Sequence, residues 1–356
     1  MVAIFIAKLT DMIKKFSNLA LALMLCGAAM AQTTPTPTKP AGQRRRNEPR
    51  PYTVSITNNS KKVKLDTTQT AQLTKAFMDV YPPFAGADGY RTKREVTLTV
   101  TDTLKSDLTA KAGEIVVSGK WLKKKKNFDA FESTLSAELK KSWVSVDTIK
   151  KDGYQLVFID KNSKFDPVIQ KNLINTYFEI YPKLVNLFND KSTHEVVFVT
   201  DTAYKGVAET SGSRILFSTK YMNSHPTDID VVTHEVMHIV QGYGYGSGPV
   251  WLTEGIADFI RYEYGVDNVG SKWYLPTFKP TQSYKDSYRV TARFFEWINQ
   301  KVKPGMIVQI DKELRNHTYT EATWTALCGK SIDDLWADYA KDPTVELKYS
   351  SKSAKI

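Results

Sequence analysis

FDPVIQKNLINTYFEIYP, residues 165–182, has a counterpart about 100 residues earlier, LDTTQTAQLTKAFMDVYP, residues 65–82. Aligned without a gap, Asp66, Leu73, Tyr81 and Pro82 fall on Asp166, Leu173, Tyr181 and Pro182. Two further blocks keep nearly the same offset. EVTLTVTDT (95–103) matches EVVFVTDT (195–202), and EIVVSGKWL (114–122) matches RILFSTKYM (214–222). A strand-like stretch precedes each copy, YTVSI (52–56) and YQLVF (154–158), with the alternation expected of a half-buried strand. Three blocks in one order at one offset indicate an internal repeat rather than unrelated strand–helix units. Each copy reads strand, helix, strand, strand, helix. That is a small mixed sheet with helices on it, so the fold class is α+β. The expected organisation is a degenerate, non-catalytic half at 51–150 and a complete half at 151–341. The C-terminal part from Tyr284 to Tyr339 reads as mostly helical, from periodic apolar positions such as Phe294, Phe295, Trp297 and Ile298.

The copies diverge after the third strand. The second continues into DIDVVTHEVMHIVQ (228–241), the first into FESTLSAELKKSW (131–143). HEVMH is an HExxH motif. On an α-helix, residues i and i+4 share a face, so His234 and His238 can reach one ion. Zn²⁺ takes neutral imidazole nitrogen and keeps one position open when it is catalytic. Glu235 beside the first histidine is placed to act as the base. Asp228 or Thr227 is expected to cap this helix, Asp230 suits its positive end, and Gly242 ends it. Superposing the helices puts Ala137 and Lys141 where the histidines stand, so the first copy is not expected to bind zinc. His194, His225 and His317 read as ordinary side chains.

The third ligand decides the subclass. HExxHxxGxxH would need Gly and His where Gln241 and Gly244 stand, which excludes that pattern. PVWLTEGIADFIRY (249–262) instead places Glu254 and Asp258 four apart on a second helix. Glu254 is the expected third ligand, and Asp258 is expected to accept a hydrogen bond from the far nitrogen of a ligating histidine. Gly255 and Ala257 are small enough to let the two ligand helices approach. GYGYGSGP (242–249) makes the reversal between them, and its tyrosines are expected to line the cleft.

These stretches resemble a known family. WLTEGIADF looks like the WLxEG element of Glu-zincins. Residues from about 153 to 341 resemble the plant basic secretory protein family, also found in bacteria. The likeness rests on GVAETSGSRILFSTKYM (206–222), HEVMHIVQGYGYGSGPVWLTEGIADFIR (234–261), SYRVTARFFEWI (287–298) and GKSIDDLWADY (329–339). It implies a zincin-like fold, export, and zinc-dependent proteolysis, with His234, Glu235, His238, Glu254 and Asp258 in the motif positions. Tyr243, Tyr245 and the extra first copy depart from the plant pattern. Within SYRVTARF, Tyr288 is the candidate neutral donor to an oxyanion and Arg293 a candidate substrate-carboxylate ligand. Strand 213–219 is a candidate sheet edge for an extended peptide. The competing readings are a non-catalytic secreted zinc-containing binding protein of the cell surface or wall, and a zinc hydrolase of a cell-wall amide other than a peptide. An intact Glu235 favours catalysis.

The chain of 356 residues is 42% hydrophobic and 12% aromatic, which excludes overall disorder. Lys14 and Lys15, then an apolar run at 19–25, then Ala29-Met30-Ala31 read as an export signal over 1–31. A Pro/Thr/Arg-rich linker (32–50) follows, and a polar tail (342–356) ends the chain. Removing Lys8, Lys14, Lys15 and Asp11 with the signal lowers the net charge from +11 to +9. Cys328 is then alone, so no internal disulfide forms. The lysine runs lack interleaved aromatics, so nucleic acid is not an expected partner, and no integral membrane span is expected. The expected partner is a peptide or protein substrate.

Overall fold

The computed structural model describes residues 51–88, 92–111 and 113–352. The expected export signal (1–31) and linker (32–50) lie outside the described residues. The first half comprises β1 (Thr53–Asn58), α1 (Thr67–Asp88), β2 (Glu95–Thr101), β3 (Leu108–Lys111), β4 (Glu114–Ser118) and α2 (Phe131–Leu139). The second comprises β5 (Ser145–Lys151), β6 (Tyr154–Asp160), α3 (Pro167–Phe188), β7 (Glu195–Asp201), β8 (Ala208–Ser211), β9 (Arg214–Ser218), α4 (Val231–Gln241) and α5 (Val250–Tyr264). Four helices follow: α6 (Tyr288–Lys301), α7 (Met306–Arg315), α8 (Ala322–Cys328) and α9 (Ile332–Lys341). The fold is α+β.

The first sheet runs β1-β2-β4-β3 and the second β5-β6-β7-β9-β8. Without β5 the two orders are the same. In each, two parallel pairings lead to a final antiparallel one. Parallel neighbours need a long crossover, which α1 and α3 supply. The residues shared between the copies do the same work twice. Asp66 and Asp166 each accept a backbone N–H in the first turn of their helix, at 2.7 Å. Tyr81 donates to the Lys93 carbonyl at 3.0 Å and Tyr181 to the Thr193 carbonyl at 2.7 Å, tying each helix to the strand it leads into. Leu73 and Leu173 are fully buried.

Two details differ from the sequence reading. Strand β5 pairs with β6 through a turn at Asp152 and Gly153, both at positive φ. Its side chains are mostly exposed, so it carries no apolar signal. Strand β9 is internal, between β7 and β8; the edge at 213–219 belongs instead to the four-residue β8, which is too short and polar to show as a strand.

Each half has its own apolar core. The first is built from α1, α2 and one face of β1–β4. The second, larger core joins one face of β6, β7 and β9 to the helices from α3 onward. The opposite face of that sheet buries Ile159, Val199 and Leu216 beneath Ala87 and Trp143 of the first half. Buried polar groups pin this junction. The Lys161 ammonium lies 3.0 Å from Asp88 and 2.8 Å from Asp201, and Trp143 Nε1 donates to Asp88 at 2.9 Å.

The expected polar tail is in part a strap. Val345, Leu347 and Tyr349 pack on the larger core. Its backbone is held by Trp297 Nε1 on the Asp342 carbonyl (2.8 Å), Tyr262 Oη accepting from Lys348 N (3.0 Å), and Ser350 O accepting from Val269 N (3.1 Å). Among the described residues, no helix is long and apolar enough to cross a membrane.

Candidate metal centre

Helix α4 packs on α3 and on the edge strand β8, as α2 packs on α1 and β3. Val231, Val232, Val236, Ile239 and Val240 bury it. It ends at Gly242, whose φ of 52° is the left-handed cap conformation. The N-cap is Asp230. Neither Asp228 nor Thr227 takes that place, because the Asp228 carboxylate is spent on Arg261 (2.5 Å) and the Tyr221 hydroxyl (2.6 Å). The buried Asp230 carboxylate accepts from Val266 N at 2.7 Å and Asp267 N at 2.6 Å, which ties the start of α4 to the loop after α5.

Helix α5 brings Glu254 to the histidines. His234 Nε2 and His238 Nε2 are 3.2 Å apart, and Glu254 Oε2 lies 3.3 and 3.4 Å from them. Both Nδ1 atoms are engaged. His234 Nδ1 donates to Asp258 at 2.7 Å, and His238 Nδ1 donates to the Gln241 side-chain oxygen at 2.7 Å. With a proton held on each Nδ1, the Nε2 atoms are the ones turned to Glu254: they hydrogen-bond to it as protonated nitrogens and would present lone pairs to an ion that takes the protons' place. The donor set fits zinc. Tetrahedral ligands at about 2.0–2.1 Å stand about 3.3 Å apart, and all three separations match that spacing. Among the described residues, His234, His238 and Glu254 are the group of potential ligands close enough to share an ion.

The electrostatics also suit a cation. Burial pushes His234 down, but Asp258, Glu254 and Glu235 outweigh it and raise the imidazole to about 10. Burial works against ionised Glu254 as well, yet hydrogen bonds from both histidines hold it well below the usual carboxylate range. The site thus keeps positive charge between its carboxylates even from protons alone.

Glu235 is buried beside the pair, and Thr210 on β8 donates to its Oε2 at 2.6 Å. Gln241 also donates to the Thr253 carbonyl at 2.9 Å, linking the orientation of His238 to the backbone beside Glu254. Sequence reasoning missed both roles. Thr210 lies in a stretch quoted for its family likeness, and Gln241 entered only as a mismatch to another motif.

Tyr288 starts α6 with its ring 6.2 Å from that of His234, nearly parallel. Ser287 and Tyr288 both have positive φ, 64° and 51°. Such conformations cost non-glycine residues of order 1–3 kcal/mol and recur at functional sites. Burial, then the charges of Glu254, Asp258 and Glu235, raise the phenol, so it stays a neutral donor. Arg293 is elsewhere. Its guanidinium donates to the Pro343 carbonyl at 3.2 Å and holds the strap, which corrects its expected substrate role; Arg289 faces the cleft instead. The close approach allowed by Gly255 is to α6 rather than α4, since a Cβ there would lie 2.3 Å from Thr291 Cγ2. Tyr245 is exposed outside the cleft, while Tyr243 lines it and donates to Asp311 at 2.8 Å. His225, read as ordinary, lines the cleft against Tyr221. The cleft, about 1900 Å³, holds His234, Glu235, His238, Glu254, Asp258 and Tyr288.

A family model described as peptidase of plants and bacteria matches residues 155–339, just over half of the chain. The chain belongs to this peptidase family. The match runs from β6 into α9, so the family's common part holds β6, β7, β8, β9 and the whole candidate centre, and leaves β5 and the first sheet outside. No curated protein matches this family member. A solved structure of Legionella pneumophila aminopeptidase A in complex with aspartic acid is similar at 15% identity and a TM-score of 0.34, covering 54% of this peptidase-family chain and 27% of that one. The chain therefore spans about a quarter of that protein's length.

Proposed function

We propose that this chain is an exported zinc-dependent metallopeptidase that hydrolyses peptide bonds. The observation that carries the proposal is the spacing of His234 Nε2, His238 Nε2 and Glu254 Oε2, 3.2–3.4 Å apart with both Nδ1 atoms occupied. These three residues would hold the ion. Bound zinc supplies a Lewis acid that activates water and polarises a carbonyl. Glu235, held by Thr210, takes a proton from the attacking water and returns it to the leaving nitrogen. Tyr288 donates its phenol proton in a hydrogen bond to the developing oxyanion. Glu209 and Thr210 put the edge strand β8 along the cleft, where an extended peptide can add to the sheet. Export rests on the signal pattern of residues 1–31.

The test is metal quantitation on the purified protein, then cleavage of a mixed peptide library with and without chelator. Chelation abolishes cleavage. Glu235→Ala keeps its zinc and loses roughly 10²–10⁴-fold in rate. Undiminished cleavage by that variant would refute the mechanism.

A further inference from the structure

The first half has no metal-ligand group among the described residues, but it has a feature of its own at the equivalent end. Three loops leave the carboxyl ends of the parallel strands β1, β2 and β4, and they touch. Ser60 Oγ donates to Asp102 at 2.6 Å and Lys61 N donates to Asp102 at 2.9 Å. A Cβ on Gly119 would lie 2.1 Å from Ser60 Oγ. The loops carry Lys61, Lys62 and Lys64, then Lys105, then Lys120 and Lys123–Lys126, all exposed. Nine lysines thus stand against four aspartates, Asp66, Asp102, Asp107 and Asp129. Asp66 is spent as a helix cap and Asp102 on the loop itself. The Ser60 hydrogen bond, helped by the nearby Lys62, lowers the Asp102 carboxyl, but among the described residues none of the nine ammonium groups closes an ion pair with a carboxylate.

The place matters as much as the charge. The three loops leave the carboxyl ends of parallel strands, the end at which open α/β sheets bind their ligands. In the second half the matching loop after β9 supplies Ser224, His225 and Pro226 to the cleft wall. At the corresponding position, 100 residues earlier, stand Lys123–Lys126. Successive residues on a helical turn point about 100° apart, so these four lysines fan outward.

We infer that this surface binds a linear anionic polysaccharide. Its side chains select that class. The loops contain no arginine, so no fork is offered to a single phosphate or carboxylate. Their one aromatic outside the core, Trp121, is half-buried, so there is no platform for stacking bases. They expose no large apolar side chain, so nothing enters a bilayer. A row of hydrated point charges suits a polymer with closely spaced anionic groups and little else to recognise.

The test measures binding of the purified protein to fluorescent heparin (sulfated) and polygalacturonate (carboxylated) across a sodium chloride series. The variant replaces Lys120 and Lys123–Lys126 with Gln. The control replaces Lys171, Lys183, Lys312, Lys341 and Lys348, equally exposed and elsewhere, with Gln. The loop variant binds at least about tenfold more weakly than the native chain and shows a shallower salt dependence, while the control binds within about threefold of native. Loss on heparin alone assigns the surface to sulfated chains, and loss on both assigns it to polyanionic polysaccharide generally. Equal losses in variant and control overturn the proposal in favour of net charge. Tighter binding to duplex DNA or to phosphatidylserine vesicles than to either polysaccharide at the same salt overturns it too.

Discussion

Gln241 sits where the two ligand helices meet, accepting from His238 and donating to the backbone one residue before Glu254. It does for His238 what Asp258 does for His234. Partners of this kind typically contribute 10–100-fold to metal affinity. Gln241→Ala is therefore expected to weaken zinc binding by roughly 10–100-fold, measured by competition with a chromophoric chelator. Unchanged affinity would show that His238 needs no orienting partner. At this scale the sequence was readable wherever a role follows from helical spacing. His234 and His238 stand four apart, as do Glu254 and Asp258, and the structure brings all four together. Roles set across space were not readable. Thr210 reaches Glu235 from a strand 25 residues away, and Arg293 shares its helix with Tyr288 but points at the strap instead.

Among elements, the repeat was readable because the shared polar residues each have a backbone partner within their own copy, Asp66 and Asp166 as caps and Tyr81 and Tyr181 as ties, while Leu73 and Leu173 fill the core of theirs. β5 and β8 were not, since one is mostly exposed and the other four residues long. The strap was not because its apolar positions, Val345, Leu347 and Tyr349, alternate among charged residues. Helices α5 and α6 carry a titratable contact of their own between Glu263 and Glu296. Desolvation, then the charge of Glu296 and a hydrogen bond to it, push Glu263 up to about 7 from 4.5. Between those values the folded protein holds more protons than the unfolded chain. The stabilising contribution is therefore complete below pH 4.5 and is lost as pH rises through 7. Thermal melts of the native chain and Glu263→Gln should diverge over that window. The native chain should gain more on acidification, and parallel curves would remove the contact from the account.

Across the whole molecule, the two halves meet through few groups. The Asp88 carboxylate receives Lys161 and Trp143 Nε1, and its backbone carbonyl accepts from Arg214 at 3.4 Å. Removing one partner of a buried ion pair leaves the other uncompensated. Asp88→Ala is thus expected to cost on the order of 3 kcal/mol in denaturant unfolding; a loss below about 0.5 kcal/mol would mean that Asp201 alone satisfies Lys161. Nothing in the sequence announced this junction, because it joins residues from three separate segments. The division of the apolar core has a consequence in time. Every buried residue of the first core lies between Val63 and Leu135, and none is shared with the second. Folding during synthesis would therefore let the first core close on its own residues before β6 is available. The second sheet would then form against a surface already built, Ala87 and Trp143 receiving Ile159, Val199 and Leu216.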